Sequence, residues 1–356
     1  MIRVLHVVES LAAGGIETTF LNILRAWREA PPWAIHEVLA LSGGVLEAPY
    51  QQAADAVTIA ASGDALERVV LGPYDVVYFT FERCAYRLLP LVVSRGRAAV
   101  VYGKGYDMGG MFRLNDGLAW QPDESMMWAA DHVTFTTDRL AAGFAVPPAR
   151  ATVLGKAAAV RRFAALPSAD VSTPNRIVCV ANLHARKRLG DLVRAVARLR
   201  PEVGDLSVRF VGADGAGEGG RLAALASDLG ISEACEIVGR RVDVADDLAA
   251  SRIFALPSGC EGVPTAMLEA MAAARPVVMT DVGHVTSAVT DGVEGYVVAA
   301  GDVDALTDRL RRLLTDPVRA RSMGLAARAR AMGHDVVTVA SRLRGVLAAA
   351  GGVRAA

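Results

Sequence analysis

The feature that most constrains the fold is a regular alternation of short β-branched runs with segments of helical periodicity. "IRVLHVV" is followed by "GIETTFLNILRAWREA", in which apolar residues recur at helical spacing. The later runs "HEVLAL", "AVTIA", "DVVYFT", "AAVVYG" and "HVTFTT" are typical of strands, with helices or loops between some of them. This alternation predicts an α/β fold built on a doubly wound parallel sheet.

A change of composition at "AALPSADVSTPN", residues 164–175, indicates a linker, because prolines and small polar residues interrupt the pattern. A second α/β series begins at "RIVCVANL". We therefore predict a first Rossmann-like domain over residues 1–165, a second over 176–335, and a C-terminal helix over 336–356 that could pack back on the first. Two such halves would leave a cleft between them, and ligands bind beyond the carboxyl ends of parallel strands.

Composition excludes several classes of protein. With 38 basic and 38 acidic residues the net charge is zero, which argues against nucleic acid as the main partner. The four cysteines are far apart and form no CxxC, so a disulfide framework or zinc finger is disfavoured. The first apolar run is too short for a signal peptide, and no stretch has the roughly 18 uncharged apolar residues of a membrane span. The sequence predicts a cytosolic protein, or one in peripheral contact with the inner face of a membrane.

Lysine is rare in this chain, since only Lys104, Lys156 and Lys187 occur among the 38 basic residues. An ammonium is a compact point charge, so each lysine could mark a position where the larger, planar guanidinium group of arginine would not fit the ligand or contact. Chance usage in an arginine-rich sequence is the alternative. Lys156 is interpreted as structural.

The first strand-to-helix turn carries Gly14 and Gly15. Glycines let the backbone approach a ligand closely, and a helix N-terminus attracts anions, so this turn could bind a phosphate. A tight turn that binds nothing is the alternative.

"FVGADGAGEGGRL" contains the spacing G-x-G-x-x-G at Gly215, Gly217 and Gly220, with Glu236 at about the distance of a ribose-binding acid. A dinucleotide site is nevertheless disfavoured. The strand is predicted to end near Gly212, whereas the first fingerprint glycine should lie at the strand's own turn. A flexible loop is the preferred interpretation.

"VANLHARKRLGDL" places Arg186, Lys187 and Arg188 between a strand and a helix. Three cations at a helix start oppose its dipole, which makes sense if an anion such as a diphosphate binds there. A solvated basic turn is the alternative.

"SGCEGVPTAMLEAM" places Glu261 in a loop after a strand and Glu269 in the following helix, with Pro264 at the predicted first helical position. Glu269 shares a face with small or apolar residues, so its carboxylate either accepts hydrogen bonds at the edge of a cleft or is buried at a cost. Two such acceptors beside a phosphate-compatible helix end suit a sugar nucleotide.

In order along the chain, "GGIETTFLNIL", "VANLHARKRLGDLVRA", "FVGADG", "VGRRVDVADDLAASRIFALPS" and "PVVMTDVGHVTSAVTDGVEGYVV" resemble the motifs of glycosyltransferase family 4. These are retaining GT-B enzymes, and the two glutamates are similar to their E-x7-E signature. The signature alone is moderately specific, but the ordered set is highly specific and extends over most of the chain. The resemblance implies two facing Rossmann-like domains, with the acceptor on the first and the nucleotide-sugar donor mainly on the second.

The resemblance implies a role for each matching residue. Glu269 would bind the ribose and Glu261 the donor hexose near the reacting centre. Lys187 and Arg186 would hold the diphosphate and stabilise its departure, so these two and Glu261 are the candidate catalytic residues. Further donor contacts are expected from Gly14, Gly15, Gly239, Arg240 and Arg241, and from the main chain at Gly262, Val263, Pro264 and Thr265.

The family usually needs no metal, and no D-x-D motif is apparent, because Asp246 and Asp247 are adjacent and begin a helix. The nucleotide sugar is a co-substrate, and no further cofactor is expected.

Some positions depart from the family pattern. The usual first-domain histidine is absent from "GKGYDMGG", where Lys104 could take its place in binding an acidic acceptor. Asp107 and Glu17 are the other candidate acceptor contacts. His284 stands where a second glycine is usual and could contact the donor sugar, although a lone loop histidine is more often exposed.

The sequence therefore predicts a retaining glycosyltransferase that uses a UDP-sugar or a GDP-sugar, with UDP favoured. The acceptor would be a glycan, a lipid-linked intermediate or a small natural product. A sugar-nucleotide-binding subunit without catalysis and a GT-B sugar-nucleotide epimerase remain the alternatives, with a dehydrogenase as a distant third.

Overall fold

The computed structural model describes residues 1–12, 15–60, 64–80, 82–95, 98–104, 125–170, 172–241 and 243–353. These residues form two compact units. Unit 1 comprises the described residues through Ala158 together with those from Asp335 onward, and unit 2 comprises Ala159–His334.

Unit 1 is built on a seven-stranded sheet with strand order β3-β2-β1-β4-β5-β6-β7. All neighbouring strands are parallel. The strands are β1 (Ile2–Val8), β2 (Ala34–Ala40), β3 (Ala56–Ile59), β4 (Val76–Phe79), β5 (Ala99–Lys104), β6 (His132–Phe135) and β7 (Ala151–Val153). The described helices are α1 (Gly15–Arg28), α2 (Glu47–Ala53), α3 (Asp64–Val70), α4 (Glu82–Arg95), α5 (Ser125–Ala129), α6 (Asp138–Ala142) and, at the end of the chain, α14 (Val336–Val353).

The last helix, α14, belongs to the hydrophobic core of unit 1. Its Leu343 and Leu347 are fully buried in the same cluster as Phe20 and Leu24 of α1. The indole Nε1 of Trp27 donates to the carbonyl of Ala340 at 3.0 Å, which satisfies its one donor inside an apolar contact.

Unit 2 is built on a six-stranded, all-parallel sheet with order β10-β9-β8-β11-β12-β13. Its strands are β8 (Arg176–Val180), β9 (Ser207–Val211), β10 (Cys235–Gly239), β11 (Ile253–Leu256), β12 (Val277–Thr280) and β13 (Gly295–Val298). Its described helices are α7 (Arg161–Ala164), α8 (Leu189–Leu199), α9 (Glu218–Asp228), α10 (Ala245–Ala249), α11 (Thr265–Ala272), α12 (Val303–Thr315) and α13 (Pro317–Ala331).

The predicted doubly wound parallel sheets are confirmed in both units. Strands β4, β5, β11 and β12 are fully buried, and β4 and β11 are continuous apolar runs, as expected of strands that are covered on both faces. Each sheet reverses its strand order beside its first strand, and this switch point is where ligands of such folds bind. Strand β7 was not predicted, since three residues are too short to show a period.

The stretch predicted as a linker is tied to unit 2. Arg275 is almost wholly buried and donates to the carbonyl of Pro167 at 2.9 Å, and Arg328 donates to that of Leu166 at 2.6 Å. Phe163 of α7 is also fully buried. Guanidinium groups that satisfy chain carbonyls hold this segment where propensity alone predicts a loose connection.

No helix in the described ranges is both long enough and apolar enough to cross a bilayer.

Candidate functional site

Three loops meet at the carboxyl edge of the unit 2 sheet, after β8, β11 and β12. The backbone N–H of Gly259 donates to the carbonyl of Arg186 at 2.8 Å and joins the first two loops. The third loop lies against the second at Gly283, where an added Cβ would be only 1.6 Å from the carbonyl oxygen of Glu261. Gly283 also has φ +55°, so both space and conformation require glycine there.

The centre of this edge is an ion pair between the ammonium of Lys187 and Oε1 of Glu261. Each side chain is 11% exposed, so the pair is largely removed from water. The hydroxyl of Ser258 donates to the same carboxylate oxygen at 2.6 Å. The carbonyl of Ser258 in turn accepts from Thr280 Oγ1 at 2.6 Å. The ends of β11 and β12 therefore fix the position of the carboxylate.

The three cations predicted to act together have different surroundings. Lys187 is buried, whereas Arg186 and Arg188 are exposed. Arg188 adopts a left-handed backbone with φ 51°, and its Nε donates to Asp191 at 2.8 Å. His184 Nδ1 accepts from the backbone N–H of Arg186 at 3.2 Å. A non-glycine residue in the left-handed region is strained, and such strain is common in ligand-binding turns.

Helix α11 begins at Thr265, one residue later than predicted. Pro264 precedes it with an extended backbone, ψ 126°, and no side chain caps this helix end among the described residues. The first N–H groups of α11 are therefore available to an acceptor from outside the helix. Val263 is buried, while Gly262 and Thr265 keep partial exposure beside Glu261.

Glu269 lies in the second turn of α11, and the described residues offer its carboxyl no side-chain hydrogen bond. Burial raises the pKa of Glu269 to about 7, with Arg162 lowering it and Asp243 raising it further. Arg162 is bonded to Asp243 at 3.4 Å and only partly compensates the buried carboxyl. This is the carboxyl acceptor that the sequence predicts at a hydroxyl-binding position, with its bonding capacity unused.

The predicted base-binding residues Gly239 and Arg240 lie at the end of β10. Gly239 has φ +80°, and its carbonyl accepts from the N–H of Gly212 at 2.9 Å. Arg240 is exposed at the same carboxyl edge of the sheet.

Asp247, one of the two adjacent acids considered for a metal motif, forms ion pairs within unit 2. Asp247 of α10 is buried and pairs with Arg209 at 2.9 Å and with Arg241 at 4.0 Å. Among the described residues, no group of three or more His, Cys, Asp or Glu side chains is arranged to hold a metal ion.

The glycine-rich run after β9 does not form a pyrophosphate turn. Asp214 accepts from the N–H groups of Glu218 and Gly219, both at 2.9 Å, and so caps α9 itself. Burial opposes ionisation of Asp214, but these backbone hydrogen bonds lower its pKa below the ordinary value. The helix end that a dinucleotide would need is occupied by this carboxylate.

His284 follows Gly283 and is only 7% exposed. The expectation that a lone loop histidine is exposed is therefore wrong at this position. Its carbonyl accepts from Ser287 Oγ at 2.6 Å. His284 therefore lies next to Gly283, the glycine that packs against the loop of Glu261.

Two of the predicted site residues, Gly14 and Asp107, lie outside the described residues. Helix α1 begins at Gly15, and the carbonyl of Glu17 in its first turn accepts from Tyr50 Oη at 2.8 Å. The ammonium of Lys104 lies 5.0 Å from the ring centroid of Phe144, within cation–π distance.

Sequence reasoning missed Ser258 and Gly283, which position Glu261. A hydroxyl directly after a buried strand was a usable signal for Ser258. No local signal marked Gly283, because its role depends on a loop that lies about 20 residues earlier in the chain.

Comparison with solved structures agrees with this geometry. The crystal structure of Anabaena Alr3699/HepE in complex with UDP and glucose superposes with a TM-score of 0.79, covering 98% of this chain and 100% of that one. At 18% identity this likeness concerns the fold. The two doubly wound parallel sheets correspond to the GT-B fold.

Residues 174–316 match the family described as "Glycosyl transferases group 1". This match lies within unit 2 and agrees with the resemblance of the sequence motifs to glycosyltransferase family 4.

Two curated relatives extend the comparison. A GDP-mannose-dependent alpha-(1-6)-phosphatidylinositol monomannoside mannosyltransferase of Mycolicibacterium smegmatis is 36% identical over 222 residues, 56% of this chain and 57% of that protein. A D-inositol 3-phosphate glycosyltransferase of Kribbella flavida is 31% identical over 234 residues, 59% of this chain and 54% of that protein. The matched part of the chain thus spans little more than half the length of these relatives.

Proposed function

We propose that this protein transfers a hexose-type sugar from a nucleoside diphosphate sugar to a hydroxyl group, with retention at the anomeric carbon and without a metal ion. The acceptor is a glycan, a lipid-linked intermediate or a small natural product. The observation that carries the proposal is the Lys187–Glu261 pair beside the uncapped start of α11.

The ligand-free site holds its two charged groups against each other. A buried ammonium or carboxylate without a partner is costly, so each needs the other until a ligand arrives. In the donor complex the ammonium of Lys187, with Arg186, turns to the diphosphate, and Glu261 accepts from hexose hydroxyls. The exchange replaces one ion pair with two sets of charge-assisted hydrogen bonds.

The other donor contacts follow from their positions. The free N–H groups at the start of α11, around Gly262 to Thr265, favour phosphate oxygens. Glu269, one to two turns further along, accepts from the ribose hydroxyls. The base lies by Gly239 and Arg240. His284 is assigned to the donor sugar.

The chemical step follows from where charge develops. The anomeric C–O bond to the diphosphate breaks, and the acceptor oxygen forms the new bond from the same face of the sugar. The acceptor's hydroxyl proton passes to the departing phosphate oxygen, so the products are a glycoside and a nucleoside diphosphate. Lys187 and Arg186 stabilise the charge on the leaving group, and one such interaction is worth about 3 kcal/mol.

The nucleotide is UDP or GDP. A relative that uses GDP-mannose by name and a structural neighbour crystallised with UDP support both choices. The sequence favoured UDP.

A panel of UDP-, GDP-, ADP- and dTDP-sugars tests the proposal by thermal shift, since a ligand of the folded state raises Tm. Binding of the best nucleotide is then measured by calorimetry for Lys187→Met, which should weaken it by about tenfold or more. Arg311→Met is the matched control, because Arg311 forms an exposed pair with Glu202 at 2.7 Å elsewhere on unit 2.

Transfer is followed by NMR of the product's anomeric proton with a mixture of acceptors. A protein that binds the nucleotide sugar but never transfers or hydrolyses it would be a binding subunit. Conversion of the donor alone to an epimer would identify the epimerase alternative. Equal nucleotide affinity in wild type and Lys187→Met would remove Lys187 from the diphosphate site.

A further inference from the structure

An open pocket of ≈ 100 Å³ lies at the carboxyl edge of the unit 1 sheet, beyond the ends of β4, β5, β6 and β7. Its walls are mostly apolar and come from α1, α14 and the segment after β7. The polar side chains that line it are five hydroxyl groups and two ammonium groups, those of Thr19, Tyr78, Thr80, Thr134, Thr136, Lys104 and Lys156.

The strands present these hydroxyls on one face. Tyr78 and Thr80 alternate with Phe79, and Thr134 and Thr136 alternate with Phe135, so the polar members share the face on which α1 packs. Thr80 Oγ1 donates to the carbonyl of Val7 at 3.0 Å, which leaves its oxygen lone pairs as acceptors. This edge therefore offers hydroxyl groups above an apolar floor.

Lys156 is the lysine that extends over this pocket from the segment after β7. Its ammonium contacts Thr19 Oγ1 at 3.4 Å, a long hydrogen bond for a charged donor. The described residues place no carboxylate within ion-pair distance of it. Lys156 is partly buried, so its ammonium is incompletely hydrated, and an anion in the pocket would supply the counter-charge that Thr19 does not.

The charges around Lys156 agree with this picture. Burial lowers the pKa of Lys156 to about 8, and Glu17 on α1 acts in the opposite direction. Arg342 of α14 lies near Gly155, with its Nη1 3.5 Å from the place where a Cβ would be, and donates to the carbonyl of Leu154. Lys104 also lines the pocket, and its ammonium lies 5.0 Å from the Phe144 ring centroid. The two lysines therefore give the pocket a positive charge, and Lys156 contributes the ammonium that lies beside α1.

We propose that this pocket binds an anionic oxygen group, a phosphate or a carboxylate, of the acceptor substrate, and that the ammonium of Lys156 is its counter-ion. The assignment to the acceptor rests on the proposed function, whereas anion binding itself does not. Lys156, interpreted from the sequence as structural, thereby becomes the residue that sets the charge of the acceptor.

The experiment titrates glycerol 3-phosphate, malate and neutral glycerol into the full-length protein by ligand-observed NMR. Phosphate groups could also occupy the diphosphate site, so the titrations are made in the Lys187→Met background. Lys156→Met should weaken binding of the anions by about tenfold, and glycerol should not bind. Arg28→Gln, which removes an exposed cation of unit 1, should leave the titration unchanged.

The outcomes separate the inference from the proposed function. Anion binding that survives Lys156→Met, or that never occurs, overturns the inference even if nucleotide sugars bind. Anion binding lost with Lys156 supports it even if no nucleotide sugar binds, in which case the proposed function fails. Binding of glycerol 3-phosphate or of malate alone identifies the anion. If Lys156→Met does not fold, Lys156→Gln takes its place, because it keeps a polar side chain and removes the charge. It should show the same loss of anion binding, about tenfold, and retained binding overturns the inference.

Discussion

Lys187 and Glu261 neutralise each other in the ligand-free protein, although the sequence assigns them to different parts of one ligand. Lys187 follows β8 and Glu261 follows β11, two strands that are adjacent in the sheet. Under the proposed function, this ion pair opens when a donor with negative phosphates beside sugar hydroxyls binds. The two residues should then respond differently to mutation.

Glu261→Gln should reduce transfer about 100-fold or more, because the hexose loses its charged acceptor near the reacting centre. Binding of the bare nucleoside diphosphate should be retained or tightened, because Lys187 no longer has to leave a carboxylate. Calorimetry with UDP and GDP and a transfer assay on the same preparations test this.

Glu202→Gln is the matched control, since it removes a carboxylate from the exposed pair with Arg311. It should change neither property. If Glu261→Gln lowered nucleotide binding and transfer by the same factor, the proposal that Lys187 leaves Glu261 to bind the diphosphate would be contradicted.

Nucleotide affinity should fall as the pH drops through about 7, because Glu269 must be ionised to accept two ribose hydroxyl bonds and its pKa is raised by burial to about 7. In Glu269→Gln the affinity should be lower and this pH dependence should be lost. Calorimetry between pH 5.5 and 8.5 is the measurement. A wild-type profile that is flat across this range would exclude the carboxyl from the ribose contact.

Glu269 should also affect folding stability, but in the opposite direction: raising the pH should strengthen nucleotide binding and weaken the fold. The folded pKa lies above the unfolded value, so Glu269 binds more protons when folded, and the stability it contributes is lost as the pH rises from about 4.5 to 7. Glu269→Gln should therefore raise Tm of the ligand-free protein at pH 8.

Gly283→Ala should impair the site much more than Gly292→Ala. Both glycines have positive φ, +55° and +82°, so alanine is strained at either position, at a cost of about 1 kcal/mol. A Cβ at Gly292 meets nothing within 4 Å, whereas at Gly283 it would overlap the Glu261 carbonyl. Comparing Tm and transfer in the two variants separates strain from overlap. Equal losses would show that the Glu261 loop does not depend on Gly283.

Unit 1 should lose stability in acid through its buried histidine pair. His6 Nε2 lies 3.0 Å from His36 Nδ1, and His36 stacks on Trp27 at 4.8 Å between ring centroids. Burial lowers the pKa of His36 to about 4 and that of His6 well below its ordinary value. Since both pKa values are depressed, the stability is present above about pH 6.5 and is lost as the pH falls toward 4.

For His36 alone the loss of folding free energy is on the order of 3 kcal/mol at full protonation. The three described tryptophans, Trp27, Trp33 and Trp128, belong to unit 1, so tryptophan fluorescence during denaturation follows this unit. His36→Phe keeps the stacking and removes the titration, and should flatten the dependence between pH 6.5 and 4.5. An unchanged slope in this variant would assign acid sensitivity to other groups.

Much of the fold was predictable because its signals are local. The alternation of strands and helices requires only the period of apolar residues, and both doubly wound sheets followed from it. The loop position of Glu261 and the helical position of Glu269 followed from Pro264 and the alanine-rich run. The helix start was misplaced by one residue, since proline is accepted on either side of a helix boundary.

The sequence by itself determined which chemical groups follow which strands, and therefore that acids, cations and glycines gather at the carboxyl edges of two parallel sheets. Only the tertiary structure decided their partners. It pairs Lys187 with Glu261 and makes Asp214 the cap of α9. It also leaves no space for a Cβ at Gly283 and places Lys156 in the wall of a pocket. Strand order sets which loops are neighbours, and burial sets whether a charge is paired. Both depend on contacts between residues distant in the chain, which local pattern does not encode.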